Sequence, residues 1–124
     1  MRIIYDTNFL MSIMKFKIDL FKELELILDS PYESIIFDSV INELKNLAEG
    51  KTKSSDYAKL CLTFVNSHKF NPTKAPKGKV DDIILLMSDQ NTAVATNDME
   101  LRKRLKSKGI KTIYLRAKKH LAIS

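Results

Sequence analysis

Arg2-Ile-Ile-Tyr-Asp6 is a short apolar run that ends on an acid, and a helical stretch, Asn8–Phe16, follows it. Read as a buried strand feeding a helix, it sets a rhythm that the rest of the chain repeats. Asp19 has the place of a cap for a second helix, with Leu20, Leu24, Ile27 and Leu28 on one side, and Ser30-Pro31 ends it. Glu33-Ser-Ile-Ile-Phe37 reads as the second strand. Ser39 is the expected N-cap of a helix in which Val40, Ile41, Leu44, Leu47 and Ala48 recur at helical spacing until Gly50. A polar link, Lys51–Ser55, precedes an amphipathic helix over Tyr57–Ser67 with Ala58, Cys61, Leu62 and Val65 inward. Asn71–Lys79 has two prolines, a glycine and three lysines and reads as a loop. Val80 opens a helix whose expected core face is Ile83, Ile84, Leu86 and Met87. Thr92-Ala-Val-Ala-Thr96 is a strand of small and β-branched residues. Asp98–Lys106 is a short basic helix closed by Gly109, and Lys111-Thr-Ile-Tyr-Leu115 is the last clear strand, with a weaker one near Leu121–Ile123.

Strands alternating with helices imply parallel βαβ units with right-handed crossovers and helices on both faces. An α+β arrangement would need antiparallel neighbours joined by short turns, and only the C-terminal link is short enough. The expected fold is therefore α/β, a three-layer α/β/α sandwich with a central parallel sheet, in one domain over residues 1–124. At 124 residues such a domain buries roughly two-thirds of its unfolded surface. The low counts of Gly (3) and Pro (3) disfavour a turn-rich β sandwich and exclude collagen-like repeats. Cys61 is alone, so no intramolecular disulfide forms, and with only His68 and His120 beside it there is no thiolate–imidazole zinc set. No apolar run approaches the ~20 residues of a membrane span, and the expected compartment is the cytoplasm.

Charge is unevenly spread along a chain of net charge +6. Residues 1–50 carry 5 basic and 9 acidic side chains, whereas residues 51–124 carry 16 and 6. The stretch Arg102–Lys119 has nine basic residues and no acid. Such a block is either a solvated helix face or a phosphate-binding surface.

Ligands of open parallel sheets sit beyond the carboxyl ends of the strands, and the chain places acids there. Asp6 ends the first strand, with apolar residues before it and no adjacent cation. Glu43 lies in the first turns of the helix after the second strand, between Ile41 and Leu44. Asp81 and Asp82 occupy the first turn of their helix, and Asp98 follows the Thr92–Thr96 strand. First-turn acids also complement the helix dipole, which suffices for Asp82 and competes with a site role for Asp81 and Asp98. Four acids meeting at one edge would raise one another's pKa. A divalent cation such as Mg²⁺ or Mn²⁺, which takes oxygen ligands and waters, removes that repulsion and is the usual apparatus of phosphodiester hydrolysis.

With these residues in place, the chain resembles the PIN-domain family over nearly its whole length. Ile3-Ile-Tyr-Asp-Thr-Asn-Phe9 is similar to the family's first strand with its leading acid, Asp6. Val40-Ile-Asn-Glu-Leu44 is similar to the helix carrying the second acid, Glu43. Val80-Asp-Asp-Ile-Ile84 resembles the third motif. Ala95-Thr-Asn-Asp-Met-Glu-Leu101 with Gly109-Ile and Ile113-Tyr-Leu115 resembles the fourth. The resemblance implies an α/β/α sandwich and a metal-dependent ribonuclease site with Asp6, Glu43, Asp81 and Asp98 as the core set. It puts the ion, Mg²⁺ or Mn²⁺, on Asp6, Asp81 and Asp98, with Glu43 completing the cluster or positioning the water. Asn8 and Thr96 are outer partners that orient carboxylates or waters, and Asp82 and Glu100 stand where they could join the shell. Arg102, Lys103, Arg104 and Lys106, with Lys74, Lys77 and Lys79, are expected to grip an RNA backbone.

The resemblance implies RNA as substrate, and either an antitoxin or a ribosome-assembly partner, with a homodimer as the common assembly of the family. The Ala95–Leu115 segment resembles the archaeal and ribosome-processing branch more than a typical bacterial toxin. Two other readings differ in class. One is an RNA-binding module of the same fold without turnover, against which the retained acids speak. The other is a receiver-type phosphoacceptor, which would need a lysine ending the last strand, whereas Lys111 begins it.

Overall fold

A computed structural model describes residues 1–124. Six strands form one sheet in the order β3-β2-β1-β4-β5-β6. They are β1 (Arg2–Tyr5), β2 (Glu33–Phe37), β3 (Asn71–Thr73), β4 (Thr92–Ala95), β5 (Lys111–Arg116) and β6 (His120–Ile123). The first five run parallel, and β6 pairs antiparallel with β5, Arg116 opposite His120. The chain steps outward from β1 to β3 and then crosses back to β4. The strand order therefore reverses between β1 and β4, the place where open sheets bind ligands.

The helices are α1 (Thr7–Lys15), α2 (Leu20–Ile27), α3 (Asp38–Ala48), α4 (Lys53–Ser67), α5 (Val80–Met87) and α6 (Met99–Ser107). Right-handed crossovers send α1, α3 and α4 to one face, where they pack together, and α5 and α6 to the other. Strands covered on both sides must be apolar throughout. Ile3–Tyr5, Ile35–Phe37 and Ala93–Ala95 are accordingly all buried. No helix is long and apolar enough to cross a membrane.

Local chemistry shifts several expected boundaries. Helix α3 begins at Asp38 rather than after Ser39, because the Asp38 carboxylate accepts hydrogen bonds from the Ser39 and Ala75 backbone N–H groups. The expected capping hydroxyl of Ser39 is buried without a partner. Helix α4 begins at Lys53, four residues before Tyr57, because Thr52 and Ser55 form a reciprocal capping box. The expected loop at Asn71–Lys79 starts with β3, where Pro72 is tolerated because only one side of this edge strand is paired. On α5 the core face includes Leu85, whereas Leu86 is 71% exposed. Helix α6 packs beside Leu85, whose carbonyl accepts from Lys108 Nζ, and the periodicity of α5 alone carries no sign of that neighbour. Leu47, expected inward on α3, is 40% exposed.

Candidate active site

The heads of α1, α3, α5 and α6 meet at the carboxyl ends of the strands, each for a sequence reason. Asp6 follows Tyr5 directly and is the N-cap residue of α1. At Gly78, φ is +145°, a conformation that disfavours a side chain, and it turns the chain into α5 and brings Asp81 to the edge. Asp98 is the N-cap of α6, its Oδ1 accepting from the backbone N–H groups of Glu100 (2.9 Å) and Leu101 (3.1 Å). The capping role considered for Asp98 is therefore real, and it fixes the carboxylate at the edge.

A cleft of about 440 Å³ opens there, and Glu43, Asp81, Asp82, Asp98 and Glu100 line it. Asp6 lies beneath it, buried, and its Oδ2 accepts a 2.9 Å hydrogen bond from the Thr96 hydroxyl. The same hydroxyl oxygen accepts from the Asp98 backbone N–H at 3.1 Å, so Thr96, itself fully buried, links the two acids. Burial holds the Asp6 carboxyl above the usual carboxylate range; the Thr96 hydrogen bond opposes this, while Asp81 and Glu43 add to it. Asp81 is raised too, first by burial and then by Asp98, with Arg104 working against the shift. The acids of three helices and one strand end thus sense one another electrostatically.

Asp81 is half-buried, whereas Asp82 is exposed and pairs with Arg104 (Nη2 to Oδ1, 3.3 Å). Adjacent helical residues project about 100° apart, which separates their environments as expected. Glu43 is more exposed than its place between Ile41 and Leu44 suggested, but it faces this cleft.

The cations divide. Lys79 and Arg104 line the cleft. Lys74 and Lys77 sit on the exposed loop leading to it, which the Ala75–Asp38 hydrogen bond pins to α3. Arg102 lies with its guanidinium carbon 3.7 Å from the centre of the Tyr114 ring. Together with Lys103 and Lys106 it borders a separate small hollow with Thr112 and Ser124. Of the four expected cations of α6, three share this hollow and Arg104 alone turns to the cleft. Asn8 is exposed on α1 and makes no hydrogen bond to the acids. The Thr7 hydroxyl, next to Asp6, is buried without a partner, a feature that the residue's type alone did not signal. Asn97 was also missed; its side-chain carbonyl accepts from Leu115 N at 2.8 Å and anchors the β4–α6 loop to β5.

No three His, Cys, Asp or Glu side chains are arranged to enclose a metal ion by themselves. The donor chemistry nevertheless suits Mg²⁺ or Mn²⁺, which keep several waters and take only one or two carboxylates plus phosphate oxygens. A divalent cation favours the charged form of carboxylates that burial holds above their usual range.

Residues 3–118 match the family described as PIN like domain. A curated relative, ribonuclease VapC4 of Methanocaldococcus jannaschii, is 32% identical over 127 aligned residues, covering 98% of this chain and 95% of that protein. A solved structure, described as that of the PIN domain endonuclease Utp24, superposes with a TM-score of 0.82 at 26% identity, covering 99% of this chain and 90% of the other.

Proposed function

This chain belongs to the PIN-like domain family, and we propose that it is an endoribonuclease that hydrolyses RNA phosphodiester bonds with Mg²⁺ or Mn²⁺. The observation that carries the reading is the convergence of four helix heads on one acid-lined cleft above buried Asp6. Asp6, Asp81 and Asp98 would hold the ion. When bound, it supplies a water of lowered pKa and offsets charge on phosphorus.

The chain's own residues do the rest. Thr96 fixes one Asp6 oxygen and, through the Asp98 N–H, the loop that carries Asp98. Glu43, across the cleft, accepts a hydrogen bond from the attacking water and orients it. Arg104 and Lys79 meet the phosphate, and Asp82 holds the Arg104 fork in place. We place this activity in one of two settings: a toxin held in check by an antitoxin, or a ribosomal RNA processing enzyme.

The test is single-turnover cleavage of one labelled RNA with saturating Mn²⁺, beside thermal melts. Outer partners of a metal site typically contribute about 10–100-fold. Asp6→Asn should therefore lose more than about 100-fold in rate while melting at the same or a higher temperature, and EDTA should silence the wild type. Full activity in EDTA, or loss of rate only through collapse of the fold, overturns the reading.

A further inference from the structure

A recess lies at the opposite end of the sheet from the acids, where β2 and β3 begin. Its volume is about 600 Å³, within the range of pockets that take small ligands. Its wall is aromatic. Phe21 of α2 stacks on Phe64 of α4 (5.7 Å, 22°) and on His68 (5.5 Å, 28°), and Phe70 closes the cluster against Phe21 at 5.9 Å. Tyr32 lines the same recess. The rim is polar: the Asn71 side-chain amide donates to the Glu33 carboxylate. Beneath them the Tyr5 and Ser34 hydroxyls are paired at 2.9 Å. Aromatic rings, Phe21 and His68 stacked and Phe70 tilted by 58° to Phe21, beside one amide and one carboxylate match a planar ring with donors and acceptors on its edge, which describes a nucleobase.

A route joins this recess to the cleft. Lys69 borders the recess, β3 covers only about 10 Å, and Lys74, Lys77 and Lys79 follow it, with Lys79 lining the cleft. Strand β3 is the open edge of the sheet. Lysines guard open edges in many proteins, which accounts for these four residues but not for a stacked aromatic recess at one end of the row. Single-stranded nucleic acids are held by this pairing of a positive track with aromatic platforms.

We propose that the Phe21–His68–Phe70 recess holds an unpaired base of the RNA whose backbone runs along β3 into the acid cleft. The proposal rests on the ribonuclease reading and adds a second, remote contact to the substrate. It makes the enzyme selective for single-stranded RNA extending several nucleotides from the cut.

The experiment is an NMR titration of the ¹⁵N-labelled full chain in EDTA, where no turnover occurs. The probe is a single-stranded RNA of about a dozen nucleotides, within the usual site sizes, and a matched strand made wholly of abasic residues. RNA should shift His68 and Asn71 together with Lys79 and Arg104. The abasic strand, which keeps every phosphate, should shift only the cleft residues. His68→Ala and Asn71→Ala, both at exposed positions, should each weaken binding of the full RNA about tenfold.

Cleft shifts with a silent recess overturn the proposal and leave the ribonuclease reading standing; a recess that serves a partner protein gives this same result. Equal recess shifts with the abasic strand also overturn it, since phosphate alone would then explain them. Silence at both places overturns the proposal, and the ribonuclease reading is then decided by the cleavage assay with saturating Mn²⁺, which does not depend on binding in EDTA.

Discussion

Asp6 and Asp89 stand at opposite ends of the β1–β4 pair and live in opposite circumstances. Asp89 is solvent-exposed, accepts from the Asn91 N–H at 2.8 Å and the Thr92 hydroxyl at 2.9 Å, and meets Arg2 at 3.2 Å, and these contacts hold its carboxyl below the usual range. Asp6 is buried, has one hydroxyl donor and no cation, faces Asp81 and Glu43, and is held above that range. One end of the sheet satisfies its acid; the other leaves Asp6 beside acids and without a cation. A fold that needed Asp6 only as a helix cap would gain from pairing it as Asp89 is paired. Its N-cap side chain in fact makes no capping hydrogen bond.

The sharpest way to break this contrast lies within the acidic end. Asp81→Asn removes a half-buried acid of the cleft, and the rate should fall by more than about 100-fold, beyond the usual cost of an outer partner. Asp82→Asn removes an exposed acid already paired with Arg104, and should cost only a few-fold in rate and at most ~1 kcal/mol in stability as a first-turn charge. Single-turnover cleavage of the same RNA decides. If Asp82→Asn were the inactive variant and Asp81→Asn the active one, the metal site would have to be redrawn around Asp82.

This contrast was half legible in the sequence. Asp6 could be singled out because three apolar residues of a strand precede it, and an acid in that place has few other reasons to exist. β1, β2 and β4 were equally plain, since burial on both faces leaves continuous apolar runs. β3 was not, because three residues containing Pro72 carry no strand signal and are held only by pairing with Ile35, Ile36 and Phe37. The acids could be placed at helix heads but not ranked by burial. Glu43 turns toward solvent and the cleft, because what lies opposite a helix is a tertiary fact. For the same reason neighbours in one basic block part company: Arg102 and Lys103 border the hollow with Thr112, whereas Arg104 ends in the acid cleft.

The two ends should also answer pH with opposite signs. A raised carboxyl pKa means that the charged form is penalised in the fold. That penalty is complete above the raised value and gone below the unfolded value of ~3.9. The contribution of Asp6 and Asp81 to stability therefore improves as pH falls through that window. A lowered pKa works the other way: the help from Asp89 is present above the unfolded value and fades as pH falls through the depressed one. In EDTA, Asp6→Asn should melt above the wild type at neutral pH, with the gap closing toward about pH 4. Asp89→Asn should melt below the wild type at neutral pH, with its deficit shrinking only at more acid pH. Parallel melting curves for Asp6→Asn and the wild type across the range would remove the electrostatic half of the contrast.

The smallest expected effect concerns the backbone at the two ends of β5. The chain enters β5 through Gly109, whose φ of +73° costs glycine nothing, and leaves it through Ala117 and Lys118, at φ of +53° and +57°. Positive φ at both central residues, with Lys119 N–H bonded to the Arg116 carbonyl at 3.1 Å, describes a tight hairpin turn of the kind that favours Asn-Gly. Each non-glycine residue there carries about 1–2 kcal/mol of left-handed strain. Lys118 has a reason to stay, since its ammonium sits 5.5 Å from the Phe16 ring centre, whereas the Ala117 side chain is exposed and offers nothing in return. Ala117→Gly relieves the strain but gives the unfolded chain more freedom, which takes back about 0.5–1 kcal/mol. The net gain should be about 0.5 kcal/mol, a rise of about 2 °C in Tm for a domain of this size, with RNA cleavage unchanged. A fall in Tm would mean that the turn is not strained, and the sheet's two ends would then differ in charge alone.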